Sequence, residues 1–554
     1  MNNLSGLLAI LQRRVQMWWS GIIADWRLVR LTQQVAGNAH PSSDLQPVAF
    51  FNASSRLTDM SLNAAFTLLT ACGVQIAGVP VVYFGCHAGM SRCVLGTNRD
   101  DFTKPPPCKE CISQSKKLFS HTPVVWFEYT QNDGLANALS GLSVEKLTSY
   151  EYSLSLESQL NSDILLPLGQ LVLPSLRWAL RRHHLHDNEA TRSLYREYIL
   201  SAAKLAEEFG IFLDKINPFV VVIFNGIMFP EATAKWIADY MGVQVMTHEV
   251  GFQPFSGFYT NGQATAYTIQ IPDEFELSTE QNIRLNGYLE KRFQGEFTMA
   301  GIRFWPEMSG LDKSFLERAE EFKQVVPVFT NVVYDTSQVH ANVVFPDMFA
   351  WLDLIFEIIR THPETLFVIR AHPDEMRPGT KKQSRESVQT WVEETGVAEL
   401  SNVVFINSQE YLSSYELIQG SKFVMVYNSS IGLEAAIMGS MVLCGGKARY
   451  TQYPIVEFPA TAEKYRSKAE QFLSMNGRIS APAEYTENAR RFLYYQIFKV
   501  SLPFEDFLEN LPRPGYVRLE SFNWQKLSPE YSQTIRILVD GILHDMPIII
   551  EEVE

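Results

Sequence analysis

The sequence predicts an α/β protein of two doubly wound domains facing a central cleft, and three observations carry that expectation. The chain has 554 residues, well past the size at which a single hydrophobic core stops growing. Hydrophobic residues make up 46% and charged residues 19%, a mix that folds throughout and leaves no low-complexity tract. Short β-rich runs alternate with helical patterns in two separate series, as parallel sheets with crossover helices require.

Residues 1–45 form a first segment. A helix drawn over 4–30 carries Leu7, Leu8, Ile10, Leu11, Val15, Trp18, Trp19, Ile22, Ile23 and Trp26, with Arg13, Arg14, Arg27 and Arg30 opposed only by Asp25. A cationic, tryptophan-bearing amphipathic segment on an acidic protein suits a peripheral membrane anchor. A helix packed on its own domain or on a partner subunit fits it equally well. The first α/β domain, 46–310, has strand patterns at 81–83, 124–127, 219–224 and 243–247 and helical patterns at 190–209 and 231–241. A stretch around 297–320 with Gly301, Pro306 and Gly310 reads as the linker. The second domain, 311–500, has strands at 325–330, 366–370, 402–406, 423–427 and 441–444, separated by helices near 347–361, 384–396, 411–419 and 431–438. Beyond it, Pro503, Pro512 and Pro514 interrupt the pattern before a last helix near 528–543, so 501–554 reads as a returning tail.

The formal net charge of −14 argues against a nucleic-acid partner, which needs a basic footprint to displace counterions from phosphates. No run approaches the roughly 18 apolar residues of a spanning helix, and the N-terminus has no secretory pattern. The expectation is a cytoplasmic protein, held at the inner face of the cell membrane if 4–30 anchors it.

Ligands of open α/β sheets bind beyond the carboxyl ends of the strands. Three strand ends of the second domain are polar. Run 423–427 leads into Asn428-Ser429-Ser430, with Gly432 and Glu434 following. The serines are expected to cap a helix whose first N–H groups bind a phosphate, Gly432 to let the backbone approach, and Glu434 to accept from ribose hydroxyls. An ordinary capped helix with a solvated Glu is the alternative. Run 366–370 leads into His372-Pro373, where the proline holds the histidine extended over the cleft. Run 325–330 ends in Thr330-Asn331, with Asp335 close behind.

The order Thr330-Asn331, Asp335, His372-Pro373, Asn428-Ser429-Ser430-x-Gly432-x-Glu434-Ala435 and Gly445-Gly446-Lys447-Ala448-Arg449-Tyr450 resembles the capsule polysaccharide biosynthesis family, over roughly 320–500. That family contains bacterial Kdo transferases of GT-B fold, two Rossmann-like domains across a cleft. The resemblance implies a glycosyltransferase taking a sugar from a nucleotide-activated donor, such as CMP-Kdo, to a growing surface or capsular glycan or a lipid-linked acceptor. It also implies that His372, Ser429 and Ser430 contact the donor phosphate and that Glu434 contacts the nucleoside. In the first domain, His248-Glu249-Val-Gly251 resembles the family's acceptor-facing loop. Glu249 is the expected general base and His248 the second choice, with a surface carboxylate as the plain reading. Asn225-Gly226 is a further strand end on the acceptor side. A nucleotide-sugar epimerase of the same fold and a non-catalytic envelope-glycan assembly protein are the alternatives.

The sequence has no Asp-x-Asp motif, and Asp100-Asp101 reads as a loop pair, so no cofactor is expected for catalysis. The leaving nucleotide would be met by preorganised dipoles without a metal. Cys86, Cys93, Cys108 and Cys111 crowd into one stretch. The Cys-x-x-Cys half suits a structural zinc, the six-residue gap of the first pair is less usual, and four reduced thiols or a redox pair at 108/111 are the other readings.

Overall fold

The computed structural model describes residues 21–53, 60–98, 100–155, 164–265, 268–294, 308–376, 383–511 and 515–552. In chain order the strands are β1 (Val48–Asn52), β2 (Met60–Ser61), β3 (Val81–Cys86), β4 (Val124–Phe127), β5 (Tyr152–Leu154), β6 (Ile164–Leu166), β7 (Val220–Phe224), β8 (Gln244–Val250) and β9 (Ser256–Thr260), then β10 (Gln324–Phe329), β11 (Thr365–Arg370), β12 (Val403–Ile406), β13 (Val424–Val426), β14 (Val442–Cys444), β15 (Leu502–Pro503), β16 (Leu508–Asn510) and β17 (Tyr516–Leu519). They build two main sheets, as the sequence predicts.

The first sheet runs β15-β9-β8-β7-β1-β3-β4, parallel from β8 to β4 and antiparallel at β9 and β15. The second runs β12-β11-β10-β13-β14 and is parallel throughout. Each parallel set has the strand order of a dinucleotide-binding fold, so each has a point where neighbouring connections diverge, β1/β7 in one and β10/β13 in the other. Helices cover both faces, which is why strands such as Thr365–Arg370 are buried at every position. Separate apolar clusters lie on the two sides of each sheet.

Packing also places segments whose partners are remote in sequence. The helix Thr279–Phe293 buries Leu285 and Leu289 with Phe329, Val424 and Leu433, that is, against the second sheet. The tail returns to the first sheet: β15 pairs with β9, β17 with β2, and Phe504, Ile535 and Leu538 join the core of Phe50, Phe66 and Leu69.

Of the amphipathic segment expected over 4–30, residues 1–20 lie outside the described residues, and 21–38 are helical. Leu28, Leu31 and Val35 are buried against the first domain, Arg27 donates to Glu509 at 2.6 Å and to the Leu519 carbonyl at 2.8 Å, and Asp25 accepts from Lys117 at 2.6 Å. Ile22, Ile23 and Trp26 stay exposed, Trp26 at 57%. This part of the helix is therefore packed on its own domain while keeping an apolar edge to solvent. Among the described residues no helix is long and apolar enough to cross a membrane.

Candidate functional site

The carboxyl ends of β10, β11 and β13 open into a cavity of about 570 Å³ that also takes Phe252, Thr265 and Thr268 from the first half of the chain. Thr330, Asn331, His372, Pro373, Asn428, Ser429, Ser430 and Glu434 all line it. The side chains singled out at three separate strand ends are thus brought together, at the β10/β13 divergence point.

Their roles differ. Asn331 and Asn428 are buried and face each other: Asn331 Nδ2 donates to Asn428 Oδ1 at 2.7 Å, Gln338 donates to the same oxygen at 3.1 Å, and Asn428 Nδ2 donates to the Ser337 carbonyl at 3.1 Å. The Thr330 hydroxyl donates to the Arg370 carbonyl at 3.0 Å. These groups tie β10 to β11 and β13 and fix the cavity wall, since buried amides need partners. His372 sits at the rim, and its Nδ1 accepts the Asp374 backbone N–H at 3.1 Å. With Nδ1 an acceptor, the neutral ring carries its proton on Nε2.

The serines do not act as expected. Ser430 is the N-cap of the helix Ile431–Ile437 in a helical conformation and makes no side-chain cap hydrogen bond. With its backbone already helical, Ser430 lacks the extended conformation from which a cap side chain reaches the N3 amide. Gly432 is also used differently. A Cβ there would lie 2.5 Å from the Tyr450 hydroxyl and 2.9 Å from Val426 Cγ1, so the glycine makes room for Tyr450, which donates to the Ser429 carbonyl at 2.7 Å.

Glu434 is not solvated. Its Oε1 accepts from Arg292 at 2.5 Å and its Oε2 from Tyr415 at 2.5 Å, and both members of the ion pair are buried. Arg292 comes from the helix Thr279–Phe293, so the pair fastens that helix to the second domain at the cavity wall. Sequence reading missed Arg292 and Tyr415 because their partner is more than a hundred residues away in one case and on another element in the other. It also assigned no role to Lys447 and Arg449, which line the cavity beyond β14.

Glu249, near the end of β8, does not itself line the cavity. It accepts from Asn225 Nδ2 at 2.7 Å, Asn63 Nδ2 at 3.1 Å and the Val250 N–H at 2.8 Å. Burial pushes its pKa up, and those donors together with the Arg449 guanidinium pull it back part of the way. Arg449 donates to the Ala264 and Thr265 carbonyls, so it spans from the cavity to the Glu249 side. Asn225, at φ +61°, turns the chain after β7 and also accepts the Ile227 N–H at 3.1 Å. His248 points the other way, as alternation along a strand demands. It is 1% exposed, stacks on Tyr259 with ring centroids 5.3 Å apart, and contacts Thr67 at 3.0 Å. Burial lowers its pKa to about 3, which makes it a neutral core residue and removes it as an acceptor-side base. Gly251 packs where a Cβ would lie 2.4 Å from Ser256 Oγ, a tight turn that contributes no ligand group.

The four clustered cysteines sit elsewhere. Cys86 ends β3, Cys93 follows in the loop, and Cys108 and Cys111 lie in the first turn of the helix Cys108–Leu118; all four border one small cavity.

Residues 306–470 match the family model described as capsule polysaccharide biosynthesis protein. No curated protein sequence matches the chain. Among solved structures, the β-Kdo 2,4-transferase of KpsC from Thermosulfurimonas dismutans is 13% identical over 51% of this chain and 80% of its own, with a TM-score of 0.32. The β-Kdo 2,7-transferase of the same protein is 14% identical over 56% and 85%, with a TM-score of 0.30. The UDP-GlcNAc 2-epimerase of Neisseria meningitidis is 11% identical over 81% and 98%, with a TM-score of 0.22. Overlaps this low carry no argument about activity. The strand order and the polar strand ends fall in the same stretch that the family model matches, and over residues 306–470 the chain is similar to the capsule polysaccharide biosynthesis protein family.

Proposed function

We propose that this protein is a metal-independent glycosyltransferase that binds a nucleotide-activated sugar in the cavity beyond β10, β11 and β13 and passes the sugar to a glycan or lipid-linked acceptor approaching from the β8 side. The observation that carries this reading is the cavity itself, at the divergence point of the second sheet and walled on its far side by the first domain. A nucleotide sugar needs such a two-sided site, one wall for the nucleotide and the other for the acceptor.

In this reading His372 donates from Nε2 to the departing phosphate, and Ser429, Ser430, Lys447 and Arg449 supply further donors and cations. Charge that develops on the leaving group is then met by groups already in place. Glu249, held by two asparagines, takes the proton of the acceptor hydroxyl. An acidic sugar carried on CMP, as in CMP-Kdo, is the first donor to try.

A panel of nucleotides in a thermal-shift titration tests the donor site, because a ligand that binds only the folded state raises its melting point with concentration. Radiolabelled sugar appearing on an acceptor glycan then supports transfer. A sugar that changes configuration without leaving its nucleotide would make the protein an epimerase. Neither nucleotide binding nor turnover would leave a non-catalytic assembly role.

A further inference from the structure

Away from the donor cavity, two adjacent histidines of the first half of the chain meet two carboxylates of the second. His183 and His184 follow the helix Leu168–Leu180, Asp347 is the N-cap of the helix Met348–Thr361, and Glu386 lies just before the helix Val388–Thr395. Each carboxylate spends one oxygen on backbone. Asp347 Oδ1 accepts the Ala350 N–H at 2.9 Å, and Glu386 Oε2 accepts the His183 and His184 N–H groups at 2.7 and 2.9 Å. Each turns its other oxygen to the histidines.

One ligating atom from each of His183, His184 and Asp347 lies within 4.8 Å of the other two. Asp347 Oδ2 is the shared point, 3.2 Å from His184 Nε2 and 3.9 Å from His183 Nε2. The longer distance is beyond a hydrogen bond. It is nevertheless the shortest polar contact of the His183 ring among the described residues, and that side chain is only 8% exposed. A buried ring nitrogen aimed at a carboxylate that it does not reach leaves a gap that a cation closes. A tetrahedral ion about 2.0–2.1 Å from nitrogen and oxygen ligands sets them about 3.3 Å apart, close to the spacing here. On its far side, His184 Nδ1 lies 2.6 Å from Glu386 Oε1. A carboxylate there keeps a proton on Nδ1 and leaves the Nε2 lone pair facing Asp347, which is how metal-bound imidazoles are oriented.

We propose that His183, His184 and Asp347 bind a divalent transition-metal ion through the two Nε2 atoms and Oδ2, with Glu386 positioning His184. Two imidazoles and one carboxylate suit zinc, and the half-exposed His184 leaves a fourth position open to water. The ion takes the place that a proton on His184 holds in the metal-free protein, and binding releases that proton. The three ligands are not among the residues lining the donor cavity, so the ion clamps the two halves of the chain without entering the transfer chemistry.

Full-length protein stripped with a chelator and titrated with zinc sulfate should bind an ion at these residues and melt at a higher temperature as zinc rises. The clustered cysteines are a second place for zinc, so the titration is read in variants. His183→Gln and His184→Gln should each lose one ion per chain, Glu386→Gln should weaken the affinity by about 10–100-fold, and Cys108→Ser should keep the ion. Cobalt(II) added to Cys108→Ser should give the weak visible bands of nitrogen and oxygen ligands, a readout that decides alone if the histidine variants do not fold. Zinc held equally well by both histidine variants, zinc lost only in Cys108→Ser, or no saturable binding of either metal would overturn the proposal.

Discussion

At the scale of single residues, the cavity wall holds a buried Arg292–Glu434 pair joined by Tyr415. Removing one member of a buried pair strands the other charge, at about 3–5 kcal/mol. Glu434→Ala should therefore lower the unfolding free energy measured in urea by about that much; unchanged stability with only a weakened donor KM would return Glu434 to a pure ligand role. His372→Ala should leave stability alone and lower turnover by about 10²–10³-fold, the range for one preorganised donor. Near-normal turnover in the folded variant would end that assignment. For Glu249 the sign follows from burial: its pKa is raised, so the ionised base is lost at a higher pH than for an ordinary glutamate. kcat/KM should fall on the acid side with a midpoint above the usual carboxylate range, and Glu249→Gln should abolish activity. A flat acid limb would point to another base.

At the scale of elements, the turn from β13 into the helix Ile431–Ile437 shows what sequence could and could not deliver. That Asn428, Ser429 and Ser430 stand at a strand end, beside His372 and Thr330, followed from hydrophobic runs ending in polar residues, and the cavity gathers them. The mode of use did not follow. Gly432 reads equally well as room for a phosphate or room for a side chain, and only the return of Tyr450 from beyond β14 decides between them. Glu434 reads as a ribose contact, or else as a solvated carboxylate, because its partner Arg292 arrives from another helix. His248 and Glu249 are neighbours on one strand, so a shift of one position exchanges core for cleft. Gly432→Ala should force Tyr450 or Val426 to move, costing about 1–3 kcal/mol, and should raise the donor KM by displacing the Ser429 carbonyl. Unchanged stability would mean that Tyr450 has another place to go.

At the scale of the whole molecule, His184 reaches from the first half of the chain to two carboxylates of the second. It contacts Glu386 at 2.6 Å and Asp347 at 3.2 Å. Hydrogen bonds to Asp347 and Glu386 raise its pKa to about 10 against the burial that would lower it. Burial raises the Asp347 carboxyl, but His184 and the Ala350 N–H outweigh that and bring it to about 2. A raised histidine stabilises the fold fully below its unfolded value of about 6.5 and loses that contribution as pH rises through the folded one; a lowered aspartate loses its contribution as pH falls through its own. The bridge should thus hold from mildly acidic to mildly alkaline pH. His184→Gln should lower the melting temperature at neutral pH, and the difference from the unaltered protein should vanish above about pH 10. A constant difference at every pH would show that packing of the ring, not its charge, joins the two halves.

The return of β15 to the edge of β9 has a further consequence, for the order in which the chain is made. Phe504, Ile535 and Leu538 complete a core whose other members, Phe50, Phe66 and Leu69, leave the ribosome more than four hundred residues earlier. Through the whole synthesis of the second domain the first must wait with β9 unpaired on one side, an exposed edge of the kind that recruits other strands. The second sheet, whose five strands all lie between Gln324 and Cys444, can close as it emerges. The nascent chain should therefore fold from its middle outward, and truncation just before Leu502 should yield a protein that aggregates even though both parallel sheets are encoded in full.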